Sequence, residues 1–399
     1  MTAHPPAEAP ALTVPDDGLP AAAFAEVRPR YGTASLADVL PSVLAVLGVP
    51  EAVDVLDLAA RLDGVRRVAV LLVDGLGTYQ LAPAGAEAPV LADLVGVADL
   101  TAGFPSTTPV SLVTLGAGVP PGAHGVLGFT VRLPGGGVLN HIRWRDEPDP
   151  MRWQPVPTRF SAAAAAGVET TVVTRPEYEG SGLSIAANRG ARFHGAADAD
   201  ATADAMLAAL RTGTGPALVY GYHPDLDHAG HVDGLASPAW RSAAAGVGRL
   251  IDRLVDGLPS HAALLVTADH GQLNVPADGR FDIAGDARLS AGLRQVTGEA
   301  RVRHLHVREG AAADVVAAWR AVLGSSARVE TRAEVVAGGW FGAVSPAHLD
   351  RIGDVVVTCL GRTVVLASAD EPASTGRLIA YHGSATAAEM RVPLLLARG

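Results

Sequence analysis

The sequence predicts an α/β fold, with a mostly parallel central sheet sandwiched by helices and a small inserted α+β subdomain. Three observations carry that expectation. The apolar runs VAVLLV (68–73), ALVY (217–220) and LLVT (264–267) have the length and β-branched content of strands buried on both faces. Helical patterns alternate with such runs, as in RFSAAAAAG before VETTVVT and DADATADAMLAALRTG before PALVYGY, which is a βαβ rhythm. From about Asn274 to Asp350 the rhythm changes to RVRHLHV, AADVVAAWRAVLG and ARVETRAEVV.

The 399 residues exceed what one simple core holds. A catalytic domain is expected over 21–273 and 351–399, interrupted by an α+β lid over 274–350. Residues 1–20 read as a disordered Pro/Ala tail, without the basic start, apolar core and cleavage site of a secretory leader. The net charge of −10 argues against a stable nucleic-acid complex or adhesion to anionic membranes, both of which need basic surface. Mean hydropathy is +0.25, but no apolar run approaches a bilayer span, so no membrane segment is expected. Cys359 is the single cysteine and cannot pair within the chain. A buried thiol and a missing leader both suit the cytoplasm. Oligomeric state leaves no mark in the sequence.

In chain order, residues 20–65 hold helical periodicity and nothing that resembles chemistry. The run 68–73 ends at Asp74, followed by Gly75 and Gly77. Ligands in open parallel sheets bind beyond strand carboxyl ends, where Asp74 stands, although an aspartate there also caps helices. Two glycines lack the third that a dinucleotide fingerprint requires. Next, LTAGFPSTTPVSLVTLGAG reads as a strand, a turn and a helix starting near Pro109. Thr107 or Thr108 then stands at the helix start, as a plain cap or as a hydroxyl facing the positive end of the helix. Two short strands around the turn PGGG carry Asn140 and Arg143 towards a charged patch.

The stretch YGYHPDLDHAGHVDG, 220–234, is the densest in chemistry. Asp227 and His231 stand four residues apart and can reach one metal ion from a single turn. His223, Asp225 and His228 compete with them, and a histidine-rich loop without metal is the plain alternative. Asp269 and His270 come one residue after the strand-like run 264–267, much as Asp74 follows 68–73. His304 and His306 alternate on one strand of the insert and read as structural. His382 lies in a small loop, HGS, before a last apolar strand.

Together these motifs resemble the alkaline phosphatase superfamily, and most closely its nucleotide pyrophosphatase/phosphodiesterase branch. The resemblance spans roughly 66–130, 215–275 and 350–399, in the family's order. It implies an alkaline-phosphatase-like fold and two metal sites. One would be held by Asp227, His231 and His382, and the other by Asp74, Asp269 and His270. The motif GVPPGAHG, similar to the family's Gly-x-x-Pro-x-x-His-Gly, places Thr108 as the nucleophile that forms a phosphothreonine intermediate, with Thr107 as runner-up. Family members often have the threonine directly before Phe-Pro, where this chain has Gly103. Asn140 is the candidate substrate contact. Ligand sets of Asp and His without thiolate suit zinc, with manganese or iron as alternatives. The expected function is hydrolysis of a small, nucleotide-like phosphate ester by a phosphodiesterase or nucleotide pyrophosphatase. The alternatives are a phosphomonoesterase or phosphonate hydrolase on the same scaffold, or a non-catalytic nucleotide-binding protein. No cysteine occupies the nucleophile stretch, which argues against a sulfatase.

Overall fold

The computed structural model describes residues 14–399. The tail expected over 1–20 thus lies, as far as residue 13, outside the described residues. Beyond it the chain is tied down: Asp17 is buried and accepts hydrogen bonds from the Asn274 N–H at 2.9 Å and the Arg362 guanidinium at 2.5 Å. A Pro/Ala-rich composition gives no sign of these distant partners.

The central sheet has seven strands in the order Val95–Thr101, Arg391–Arg398, Ala262–Thr267, Arg67–Val73, Ala217–His223, Glu169–Thr174 and Arg192–Gly195. Arg391–Arg398 runs antiparallel to both neighbours, and the remaining pairs are parallel. All seven residues of Arg67–Val73 are buried, so helices and loops cover both of its faces. That double burial is why the run reads as continuous apolar sequence rather than an alternating one. The parallel register also brings the carboxyl ends of Arg67–Val73, Ala217–His223 and Ala262–Thr267 to one end of the sheet.

Capping residues set the helix starts. Asp198 accepts the Ala201 N–H at 2.8 Å before the helix Ala199–Arg211, and the Ser237 hydroxyl accepts the Trp240 N–H at 3.1 Å before Pro238–Gly257. These two helices pack together, and the second buries Trp240, Val247, Leu250, Ile251 and Leu254 along one stripe. A second group comprises Leu36–Val46, Thr108–Ala117 and Gly182–Asn188. Within it, a Cβ placed on Gly116 would lie 2.0 Å from the Ala187 carbonyl oxygen. Backbone cannot yield as a flexible side chain can, so Gly116→Ala is expected to cost about 1–3 kcal/mol, read as a lower midpoint in denaturant unfolding. No helix among the described residues is long and apolar enough to cross a membrane.

A four-stranded antiparallel sheet forms the smaller unit, in the order Leu293–Glu299, Val302–Val307, Val355–Cys359 and Ala327–Thr331. The helix Ala312–Leu323 buries Trp319 against it. Val355–Cys359, expected to belong with the main fold, therefore lies in the smaller sheet. Its five residues are all buried, and a short apolar run looks the same in either sheet. Cys359 is fully buried, and burial pushes its thiol up to about 11.

His304 and His306 are bonded within this unit: the His304 Nδ1 accepts the Gly353 N–H at 3.0 Å, and the His306 Nε2 lies 3.2 Å from the Thr297 hydroxyl. Burial pushes His304 down to about 3. The unfolded chain binds that proton near pH 6.5 and the native state does not, so this ring's contribution is complete above about pH 6.5 and is lost as pH falls towards 3. His304→Gln keeps an acceptor for Gly353 without the titration. Stability measured by denaturant between pH 7 and 5 should fall less steeply in His304→Gln than in the native protein.

Candidate active site

Close backbone approach brings the strand ends together. Gly75 has φ of +77°, and a Cβ there would lie 3.1 Å from the Asp227 Cα. A Cβ on Gly77 would lie 2.6 Å from the Gly271 Cα. The glycine pair after Asp74 thus closes one loop on the two others. Asp74 is no helix cap, since Gly77 precedes the next helical turn, Thr78–Gln80.

Residues 225–233, Asp225–Asp233, form a helix rather than a loop. Asp227 and His231 lie one turn apart on one face, with the His231 Nε2 3.5 Å from an Asp227 carboxylate oxygen. The His382 Nε2 lies 3.7 Å from the other Asp227 oxygen and 3.1 Å from the His231 Nε2. Asp225 pairs with Arg175 on the cavity wall, His223 lies 3.6 Å from Asp225, and His228 is exposed there. In the second set the His270 Nε2 is 3.5 Å from Asp74 and 3.2 Å from Asp269. Within each set of three, the candidate ligand atoms lie within 4.8 Å of one another. The two sets adjoin, because the His270 and His382 rings stack at 3.5 Å between centroids.

Whether these side chains suit metal ions can be judged from their own bonding. The Nδ1 of His231 faces the Ala380 carbonyl at 2.8 Å, and that of His382 faces the Ser106 carbonyl at 3.0 Å. His270 Nδ1 lies 3.3 Å from the Gly271 carbonyl. A carbonyl only accepts, so each Nδ1 carries the proton and each Nε2 presents a lone pair to the site. Two such lone pairs 3.1 Å apart, on His231 and His382, repel unless a cation or proton lies between them. Buried oxygens of Asp74 and Asp269 also lack hydrogen-bond partners. Burial, and then the charge of a neighbouring carboxylate, raise all three aspartates well above the usual range. Burial foremost lowers His231, His270 and His382. Carboxylates without counter-charge facing neutral imidazoles form a donor set that fits divalent cations.

Thr108 opens the helix Thr108–Ala117, is half-buried, and places its Oγ1 3.2 Å from the His270 Nε2. Thr107 occupies the N-cap position with its hydroxyl fully buried. Of the two, Thr108 lines the cavity. That cavity has a volume of about 1230 Å³ and also exposes Asp74, Asp227, His231 and His382. Asn140 lies on its wall, at the end of the strand Val138–Asn140. Its Oδ1 accepts the Ile142 and Arg143 N–H groups at 3.0 and 3.2 Å, which leaves the amide nitrogen for a ligand.

Three supporting residues escaped the sequence reading. Tyr222 donates its hydroxyl to Asp74, Gln272 donates its amide to Asp227, and Glu299 lines the cavity with its carboxyl pushed up to about 8 by burial. Tyr222 stands two residues after Tyr220 on a recognisable strand, so alternation could have flagged it. Gln272 and Glu299 carry no spacing signal.

A mostly parallel sheet with paired Asp/His clusters at its carboxyl end, and a smaller antiparallel sheet beside it, defines an alkaline-phosphatase-like α/β protein. The chain belongs to the type I phosphodiesterase / nucleotide pyrophosphatase family, whose model matches residues 68–385. Its fold is similar to that of murine ectonucleotide pyrophosphatase/phosphodiesterase 5, solved as an inactive variant in complex with AMP. That match has a TM-score of 0.66 at 17% identity and covers 83% of this chain and 87% of the other. The human protein of that name matches with a TM-score of 0.65 at 17% identity, over 83% and 87% of the two chains. Phosphonoacetate hydrolase from Sinorhizobium meliloti, in complex with phosphonoacetate, matches with a TM-score of 0.62 at 20% identity, over 84% and 90%. No curated protein sequence matches the chain.

Proposed function

We propose that this protein hydrolyses small phosphate diesters or pyrophosphates, nucleotide-like in character, with Thr108 as nucleophile and two divalent cations as cofactors. The observation that carries this reading is the meeting of two Asp/His sets beside a half-buried threonine that opens a ten-residue helix. Asp227, His231 and His382 would hold one ion, and Asp74, Asp269 and His270 the other. Zinc suits these ligands best. Two such ions, when bound, supply charge that activates a hydroxyl and steadies a leaving oxygen in an in-line displacement at phosphorus.

The chain itself does the rest. Thr108 Oγ1 attacks phosphorus as the bond to the leaving oxygen breaks, the hydroxyl proton passing to solvent or to the leaving oxygen. This gives a phosphothreonine that keeps the substrate's other ester group, and water then cleaves the Thr108 oxygen–phosphorus bond, releases the monoester and restores the hydroxyl. The amino end of the helix Thr108–Ala117 directs positive dipole at the phosphoryl oxygens. Tyr222 and Gln272 hold Asp74 and Asp227 in place through their hydrogen bonds. Asn140 offers its amide nitrogen to the substrate.

The test is turnover of bis-p-nitrophenyl phosphate against p-nitrophenyl phosphate, on protein stripped with chelator and reloaded with zinc. Stripping should abolish turnover and reloading should restore it. A diester-to-monoester ratio well above one is expected. A ratio well below one would move the protein to the monoesterases. The AMP complex of one structural relative favours nucleotides and the phosphonoacetate complex of another favours phosphonates, so both ligand types belong in the following screen.

A further inference from the structure

Arg301 and Glu389 form an ion pair with no exposed side-chain surface, although neither lines the cavity nor belongs to either ligand set. The pair is bidentate, with Nε to Oε1 at 2.9 Å and Nη2 to Oε2 at 2.6 Å. A buried pair of this kind is weak evidence for stability, because desolvation opposes the attraction between the charges. What the carboxylate also touches is more telling. Its Oε1 accepts the Ser384 N–H at 2.9 Å and its Oε2 accepts the Thr386 hydroxyl at 2.5 Å. The Glu389 backbone carbonyl accepts the Gly271 N–H at 3.0 Å.

Each of those contacts is one step from the chemistry. Ser384 lies two residues after His382, and Gly271 directly follows His270. The same loop also grips the segment before Thr108: the Ser106 hydroxyl donates to the Ser384 carbonyl at 2.6 Å, and the Ser106 N–H donates to the Gly383 carbonyl at 2.9 Å. The Ser106 carbonyl in turn accepts from His382 Nδ1. Glu389 therefore sits where the segments of His270, His382 and Thr108 are tied together. Arg301 reaches it from the smaller unit, directly before the strand Val302–Val307, and its remaining nitrogen donates to the Gly361 carbonyl at 3.0 Å.

We propose that Arg301 and Glu389 are positioning residues, through which the smaller antiparallel unit holds His382 and Thr108 in register. The proposal rests on the roles assigned above to those two residues. It accounts for a fully desolvated ion pair, a feature that apolar side chains can often replace without loss of stability.

The test is a cycle of Arg301→Met, Glu389→Gln and the double variant, followed by unfolding midpoint, zinc affinity in competition with a chromophoric chelator, kcat and KM. Each single variant is expected to weaken zinc binding by about 10–100-fold and to lower kcat more than it raises KM. The double variant removes both charges, so its midpoint should return towards the native value while the zinc and kcat defects persist. A double variant that regains native zinc affinity and kcat together with its midpoint would make the pair a purely structural contact and overturn the proposal. Thr386→Val removes only the hydroxyl bond to Glu389 and covers the case of a double variant that does not fold. A several-fold loss of zinc affinity at an unchanged midpoint supports positioning, and native affinity overturns it. Zinc affinity is read without turnover, so failure of the diesterase reading and failure of this one give different results.

Discussion

Thr108→Ala should reduce turnover by at least about 10³-fold, the scale of losing a covalent nucleophile, while zinc content stays at the native stoichiometry. The second half of that expectation matters as much as the first. Thr108 Oγ1 touches the His270 Nε2 but belongs to neither ligand set, so its removal leaves both sets of three whole. Alanine is also a better helix former than threonine, so the first turn of Thr108–Ala117 should persist. Rapid quenching of the native protein with a labelled diester should trap the phosphoryl group, still carrying its second ester, on Thr108, and the alanine variant should trap none. An active Thr108→Ala with an inactive Thr107→Ala would transfer the role by one residue, against the burial of the Thr107 hydroxyl.

Asp227→Ala should remove one zinc and lower turnover by at least about 100-fold, more than the loss of an outer hydrogen-bond partner would. Asp227 is the only carboxylate in its set, facing His231 at 3.5 Å and His382 at 3.7 Å. Without it two neutral imidazoles remain, too few to retain a cation against competition. The measurement is metal content after gel filtration, alongside turnover. Native zinc content or native turnover in Asp227→Ala would sink the two-metal assignment. Gln272→Ala offers a graded comparison, because it removes a hydrogen bond to Asp227 and leaves the carboxylate in place.

The three central strands were legible because double burial leaves a continuous apolar run, and their functional ends were legible because Asp74 and Asp269 follow those runs almost directly. The two sets of candidate ligands, read from motif order, come together in the structure as sets. What the sequence concealed has a common physical cause. Spacing alone leaves Asp225 open beside Asp227, since choosing between them needs the phase of a helix; only the family resemblance names Asp227. The assignment of Val355–Cys359 failed because burial alone does not say which sheet does the burying. Gln272, Glu299, Arg301 and Glu389 act through partners 45 to 88 residues away in the chain, or through a cavity that several segments build, and such contacts leave no local pattern.

One feature of the topology reaches beyond the site. The strand Arg391–Arg398 lies between Val95–Thr101 and Ala262–Thr267, antiparallel to both. During synthesis, Val95–Thr101 therefore has only a single bridge from Thr101 to Ser35 until residues 391–396 have left the ribosome. Phe104 can bond to Tyr31, and the helix Thr108–Ala117 can pack on Leu36–Val46, before then, but the bonds of Ser106 to the loop of His382 wait for the same interval, and His382 and Glu389 emerge only just before its end. The nascent chain can thus assemble the parallel part of its sheet early, but its candidate site comes together only once those residues have emerged. Deleting residues 391–399 should cost far more than the loss of nine residues suggests, since it strands an edge that was made nearly three hundred residues earlier.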